Sequence, residues 1–101
     1  MTQERWQQLV STSTGGPVTP GTMFGSKGLR TGTKFYSIWW HEQLVVKLPA
    51  ARIDELTEAA AGVPFEPAQG RRMNGWIVLT SDTDWPALAT EARLFVESQQ
   101  T

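Results

Sequence analysis

A chain of 101 residues, of which 40% are hydrophobic and 19% charged, is long enough for one packed domain and has an ordinary globular composition. The absence of cysteine excludes disulfides and thiolate chemistry, and a net charge of −1 is far from the basic balance of a dedicated nucleic-acid binder. The first residues are polar and no apolar run approaches the roughly 20 residues that span a bilayer. We therefore expect no signal peptide, no membrane contact and a cytoplasmic location.

The amino-terminal part predicts a helix followed by a loop. Trp6, Leu9 and Val10 have the spacing of one helical face, which predicts a helix over residues 3–11. Serine, threonine, glycine and proline then follow in quick succession, a composition that breaks helices. We predict one domain over residues 1–101 with a flexible loop at 11–21.

The next forty residues predict three strands. Residues 22–26 are a short strand candidate, and Gly28 and Gly32 bracket a predicted turn. Aromatic and β-branched residues fill the segment 33–40 on both alternating faces, which predicts a strand that is either central in the sheet or covered on both sides. His41 and Glu42 make a tight connection to a strand over residues 43–48, so the last two strands form a hairpin.

The carboxyl-terminal half alternates helices and strands. Pro49 suits the first turn of a helix over residues 50–61, which Gly62 would end in the left-handed conformation. An edge strand at 63–65, a glycine-bounded loop at 70–75 and a strand at 76–79 follow. Asp82 to Asp84 offer caps for a final helix with a clear apolar stripe. The predicted fold is an α+β two-layer sandwich with an antiparallel sheet, ordered α-β-β-β-α-β-β-α.

No pattern in the sequence predicts an enzyme. His41 is the sole histidine and falls in a predicted turn, and no cluster of acids supplies paired carboxylates or metal ligands. The segment from Gly25 to Gly28 has lysine before glycine and lacks the spacer of a phosphate-binding loop. We predict no catalytic residue, no metal and no cofactor.

Charge and aromatic residues favour binding instead. Residues 1–50 carry five basic and two acidic residues, a net charge of +3, whereas residues 51–101 carry four basic and eight acidic residues, a net charge of −4. A two-layer fold would thus have an acidic helical side and a more basic sheet side. The candidate anion or nucleic-acid contacts are Lys27, Arg30, Lys34, Lys47, Arg71 and Arg72, and the candidate interface aromatics are Trp39 and Trp40.

Several of these segments resemble the amino-terminal domain of the TfoX/Sxy family over roughly residues 20–98. The resembling residues are Met23-Phe24-Gly25, Gly28-Leu29, Phe35-Tyr36, Leu44 to Leu48, Phe65, Gly70-Arg71, Met73, Trp76, Ala92 and Phe95. The chain is also similar, more loosely, to MmcQ/YjbR-like proteins. The resemblance implies the element order given above, a link to regulation of competence for DNA uptake and no established catalytic residue. Family members carry a second helical domain, and we expect this chain to correspond to the first domain alone.

Three functional hypotheses follow from the sequence. The first is a non-enzymatic regulatory domain that contacts a protein partner or associates with itself as a homodimer. The second is weak nucleic-acid binding through the basic sheet side. The third is a small-ligand pocket under the loop 11–22, lined by Trp6, Met23 and Phe24.

Overall fold

The structure, a computed structural model, describes residues 2–23, 25–68 and 70–99. These residues form an α+β fold in which three helices cover one face of a six-stranded antiparallel sheet, which confirms the predicted fold class. The elements are α1 (Thr2–Ser13), β1 (Val18–Met23), β2 (Ser26–Thr31), β3 (Lys34–Trp40), β4 (Gln43–Lys47), α2 (Ala50–Glu58), β5 (Gly62–Pro64), β6 (Trp76–Leu79) and α3 (Trp85–Ser98). The strand order is β1-β2-β3-β4-β6-β5, so β1 and β5 are the sheet edges.

The core between the sheet and the helices depends most on α3. The helix begins where the Asp84 side chain accepts a hydrogen bond from the Ala87 amide at 3.1 Å, and Pro86 lies in the first turn, as predicted. Its apolar stripe faces the sheet, with α1 and α2 on either side contributing smaller stripes. The buried residues of α3 are Trp85, Leu88, Ala89, Ala92 and Val96.

The opposite face of the sheet, here called the second face, is covered by the segment 65–75. Phe65 is 1% exposed and packs with Ile38 and Val45 in a separate apolar cluster. The backbone of this segment is held at its ends, since Phe65 N donates to Trp76 O at 3.0 Å and Met73 N donates to Phe65 O at 2.9 Å. Strand β3 is therefore covered on both sides, as its sequence predicts.

A β-bulge in β3 decides which side chains reach which face. Leu29 pairs with Ser37 and Arg30 pairs with Phe35, so Tyr36 is the extra residue in the ladder. Because of this insertion, Tyr36 packs in the helix-side core, whereas both Phe35 and Ile38 belong to the second-face cluster. The β3–β4 hairpin is confirmed by its register, and its two-residue turn has left-handed φ values of 49° at His41 and 63° at Glu42.

The outer side of β1 offers few backbone groups for further strand pairing. Val18 and Gly15 exchange two backbone hydrogen bonds of 3.0 Å each, so the outward groups of Val18 are already satisfied. Pro20 is the next residue with the same orientation, and proline has no N–H to offer. At the other edge, Pro64 occupies the equivalent outward position of the short strand β5, because Phe65 N bonds inward to β6.

The loop predicted at residues 11–21 is not a loop. Helix α1 continues to Ser13, and β1 begins at Val18, so that only four residues connect them. The hydroxyl groups explain the longer helix, since Thr12 Oγ1 donates to Gln8 O at 3.0 Å and Thr14 Oγ1 donates to Val10 O at 2.6 Å. The hydroxyl residues expected to break the helix instead bond back onto its last turn.

The predicted strand at 22–26 and the turn between Gly28 and Gly32 are also corrected. Two strands, β1 and β2, occupy residues 18–31, and they are joined by the turn at Gly25, which has a φ of 74°. Four strands therefore precede α2 instead of three. Phe24, which belongs to this turn region in the sequence, lies outside the described residues.

Gly62 does not end α2. Ala60 adopts the left-handed conformation there, with a φ of 60°, and Gly62 is the first residue of β5. A Cβ atom on Gly62 would lie 2.5 Å from Val78 O, so this position needs glycine for close strand approach. The edge position of β5 and the strand at Trp76 are confirmed.

Within the described ranges, no helix has the length and apolar character needed to cross a bilayer.

Candidate interaction cleft

A cleft of about 450 Å³ lies between α1 and the β1–β2 hairpin. Its volume is within the range of ligand-binding clefts, which is roughly 300–1,000 Å³. Trp6 and Val10, one turn apart on α1, form an apolar wall in which Trp6 is only 3% exposed and Val10 is half-buried, and Pro20 lines the cleft from β1. The residues that complete the lining are Gln3, Gln7, Gly21, Thr22, Lys27 and Gly28.

Two paired glycines lie in the hairpin wall of the cleft, and the side chains that they lack would point to the second face. Gly21 pairs with Gly28 across β1 and β2, and the Phe35 ring covers both from the second face. A Cβ atom on Gly21 would lie 3.0 Å from Phe35 Cζ, and one on Gly28 would lie 2.8 Å from Ser37 O. These glycines therefore make room for an aromatic ring, which is a structural reason for a segment that superficially resembles a phosphate loop.

The α1 wall of the cleft is anchored by aromatic contacts and by Arg5. Trp6 stacks on Trp39 with ring centroids 5.8 Å apart, and Trp39 meets Trp85 edge-on at 5.9 Å. The Arg5 guanidinium lies 3.8 Å from the centre of the Trp85 ring and donates to Ser81 O at 2.7 Å. Trp6 is thus held in place on the side away from the cleft, which preorganises the wall.

The two candidate interface aromatics point to opposite faces and are both half-buried. Trp39 belongs to the aromatic contacts of the helix layer. Trp40 packs in the second-face cluster, edge-on to Phe65 at a centroid distance of 5.4 Å and to His41 at 4.8 Å. The structure therefore uses both side chains for packing, and it does not bring them together as one exposed patch.

The structure also divides the six candidate anion contacts among four places. Lys27 lines the cleft, and Arg30 faces the second face, where its Nε donates to Thr19 Oγ1 at 3.1 Å. Lys34 and Lys47 are brought together at a smaller cavity of about 200 Å³ beside Val96 and Gln99. The remaining two, Arg71 and Arg72, lie exposed in the segment that covers the second face.

Ion pairs distinguish the helix layer from the sheet. On the helices, Arg52 Nε lies 2.8 Å from Glu91 Oε2, and Arg93 Nε lies 2.9 Å from Glu97 Oε2. Glu97 also accepts a hydrogen bond from Thr31 Oγ1 at 2.6 Å, which together with Arg93 lowers the pKa of its carboxyl group below the ordinary value. Over the described ranges, none of the six candidate cations forms such a pair with an acid.

The lining of the cleft is mostly apolar and amide in character. Among the described residues, Lys27 is its one charged side chain and its other polar side chains are Gln3, Gln7 and Thr22, with no histidine or carboxylate beside the hydroxyl group. His41 is at the β3–β4 turn, away from the lining residues. In the part of the chain that the structure describes, no three histidine or acidic residues come together as a metal site.

The predicted pocket near Trp6 is partly reproduced. Trp6 does line the cleft, whereas Met23 packs against the second-face cluster and Phe24 lies outside the described residues. The lining residues Gln3, Gln7 and Pro20 were missed because β1 was taken for a loop. The β-branched residues Val18, Thr19 and Thr22 around Pro20 could have indicated an edge strand.

In comparisons with known proteins, no family model, no curated protein and no solved structure matches the chain.

Proposed function

We propose that the chain is a non-enzymatic binding domain that contacts a protein partner through the cleft between α1 and the β1–β2 hairpin. The observation that carries the proposal is the apolar lining by Trp6, Val10 and Pro20, with Trp6 held in place by its stacking on Trp39. An exposed apolar concavity with a few polar groups at its rim is typical of a binding site. The lining offers hydrogen bonds and one positive charge, but no nucleophile with a base.

The proposal includes a regulatory role in the cytoplasm, in line with the resemblance to TfoX/Sxy amino-terminal domains. The observed order, α-β-β-β-β-α-β-β-α, has one strand more than the order which that resemblance implies.

Self-association by sheet extension is disfavoured, because Pro20 and Pro64 occupy outward positions on the two edges. A second copy of the chain bound at the cleft would be one form of the proposed partner.

Site-specific photo-cross-linking in cells tests the partner. A photo-reactive amino acid is placed at Gln7, which is exposed and lines the cleft, and at Thr90, which is exposed on α3, as the matched control. We expect a discrete protein adduct from position 7 and none from position 90. An adduct of twice the chain's mass would assign the cleft to a second copy. No protein adduct from position 7, or equal adducts from both positions, would contradict the proposal.

Nucleic-acid binding is the second candidate, and the cations without acidic partners on the sheet side favour it. Arg71 and Arg72 lie exposed beside the second face, which also carries Arg30. Phosphate binding by such cations weakens steeply with salt. We expect that the double substitution Arg71→Ala/Arg72→Ala reduces retention on DNA or RNA, whereas Arg52→Ala on the helix layer does not. Absence of retention at low salt would eliminate this candidate.

A further inference from the structure

We propose that the occupant of the cleft is an amphipathic helix of the partner, with its apolar side chains against α1 and an acidic flank beside Lys27. This inference rests on the proposed function and specifies the chemistry of the partner. It follows from three features of the cleft: the edge of β1, which offers few backbone groups for strand pairing, the apolar wall of α1, and the positive charge of Lys27 at the rim.

The edge of β1 disfavours recognition by an added strand. An extended peptide beside the hairpin would need backbone partners on the outer side of β1. Val18 N and Val18 O are already bonded to Gly15, and Pro20 can accept a hydrogen bond but has no N–H to donate, which leaves Thr22 as the next outward residue with both groups. We therefore expect a partner to bind by its side chains, as a helix does when it lies in a groove.

The apolar wall suits the side-chain spacing of a helix. Trp6 and Val10 are four residues apart on α1, so they lie one turn apart along the cleft, and Pro20 forms the opposite side. A second helix laid beside α1 would place its own apolar side chains, at three- and four-residue spacing, between these walls.

The charge at the rim selects an acidic partner. Lys27 is exposed, lines the cleft and forms no ion pair in the described ranges, and no acidic residue lines the cleft. Gln3 and Gln7 on the α1 rim can bond to either sign of charge. Complementary charge steers and orients a partner more than it adds affinity.

The test uses two stapled synthetic helices with leucine at positions i, i+3, i+4 and i+7. One carries glutamate on both flanks of the leucine stripe, and the other carries lysine at the same positions. We expect the acidic helix to bind by fluorescence anisotropy and to shift amide resonances of α1 and the β1–β2 hairpin. Lys27→Glu should weaken the acidic helix by roughly tenfold and strengthen the basic one, because attraction becomes repulsion. The matched control is Lys34→Glu, an exposed lysine outside the cleft, which should change neither affinity by more than about twofold.

The outcomes separate this inference from the proposed function. Equal affinity of the two helices, or equal effects of the two lysine substitutions, would overturn the acidic flank. Failure of both helices to shift cleft resonances would overturn the helical occupant. If cross-links at position 7 still formed in that case, the partner proposal would stand without it. If neither helix shifted cleft resonances and no cross-link formed at position 7, both the helical occupant and the protein-partner proposal would be wrong.

Discussion

The helix side and the second face of the sheet are buried by different means. On the helix side, three regular helices bring apolar stripes, and the arginines of α2 and α3 have acidic partners. On the second face, one irregular segment is fixed by Phe65 and by backbone bonds at its ends, and its arginines are exposed. The comparison shows that covering a sheet requires only a few well-anchored contacts, and that the exposed arginines beside the irregular cover form no ion pair among the described residues.

The largest expected effect is at the anchor of the second face. Phe65→Ala removes a 1% exposed ring from the cluster with Ile38 and Val45, and such a truncation costs about 3–5 kcal/mol of unfolding free energy. Urea unfolding measures the change. Leu94→Ala is the control, because Leu94 is 59% exposed and should cost less than about 0.5 kcal/mol. A cost below about 1 kcal/mol for Phe65→Ala would show that the segment 65–75 contributes little to the burial of this face.

The next effect concerns the glycine pair that lies between the cleft and the second face. Gly28→Ala should destabilise the fold by about 1–3 kcal/mol, because its Cβ would lie 2.8 Å from Ser37 O and 3.0 Å from the Phe35 ring. Ser26→Ala in the same strand is the control and should be nearly neutral. If Gly28→Ala/Phe35→Leu recovers full stability, the ring alone, and not the carbonyl group, would be the constraint.

A smaller effect should separate the two kinds of arginine in the helix layer. Arg5→Met removes two charged hydrogen bonds to backbone carbonyls and the contact with Trp85, so we expect a loss of about 1–2 kcal/mol. Arg52→Met removes ion pairs that are more than one third exposed and should cost less than about 1 kcal/mol. Thermal unfolding of both variants gives the ratio of the two losses in unfolding free energy. Equal losses would mean that Arg5 is no special anchor for α1.

The smallest effect is a pH dependence confined to the helix side. The pKa of Glu97 is lower in the folded protein than in the unfolded chain, because of the bonds from Thr31 and Arg93. Its contribution to stability is therefore complete above the ordinary glutamate pKa of 4.5 and is lost as the pH falls through the folded value. Unfolding midpoints between neutral and acidic pH should show a shallower decline for Glu97→Gln. An unchanged slope would mean that these bonds do not favour the charged carboxyl group.

The sequence predicted those helices, strands and turns whose signals lie in residues that are neighbours along the chain. The stripe and cap of α3, the turn at His41 and the doubly covered strand β3 could all be inferred from neighbours in the chain. The roles of Gly28 and Gly62 could not, because the atoms that exclude a side chain there belong to other strands. The cleft could not be predicted for the same reason, because its lining residues come from separate parts of the chain. Its walls come from α1 and β1, and β1 becomes visible only when Pro20 is recognised as an edge residue.

The outward prolines also bear on how the protein behaves when it is concentrated or briefly opened. A sheet grows into a fibril by adding identical strands to a bare edge, and neighbouring copies exchange strands through the same contact. Here each edge strand has a position at which no donor can be offered, at Pro20 and at Pro64, and Val18 is already bonded within its own chain. The chain can therefore keep an open apolar concavity on its surface without offering its sheet as a template for aggregation.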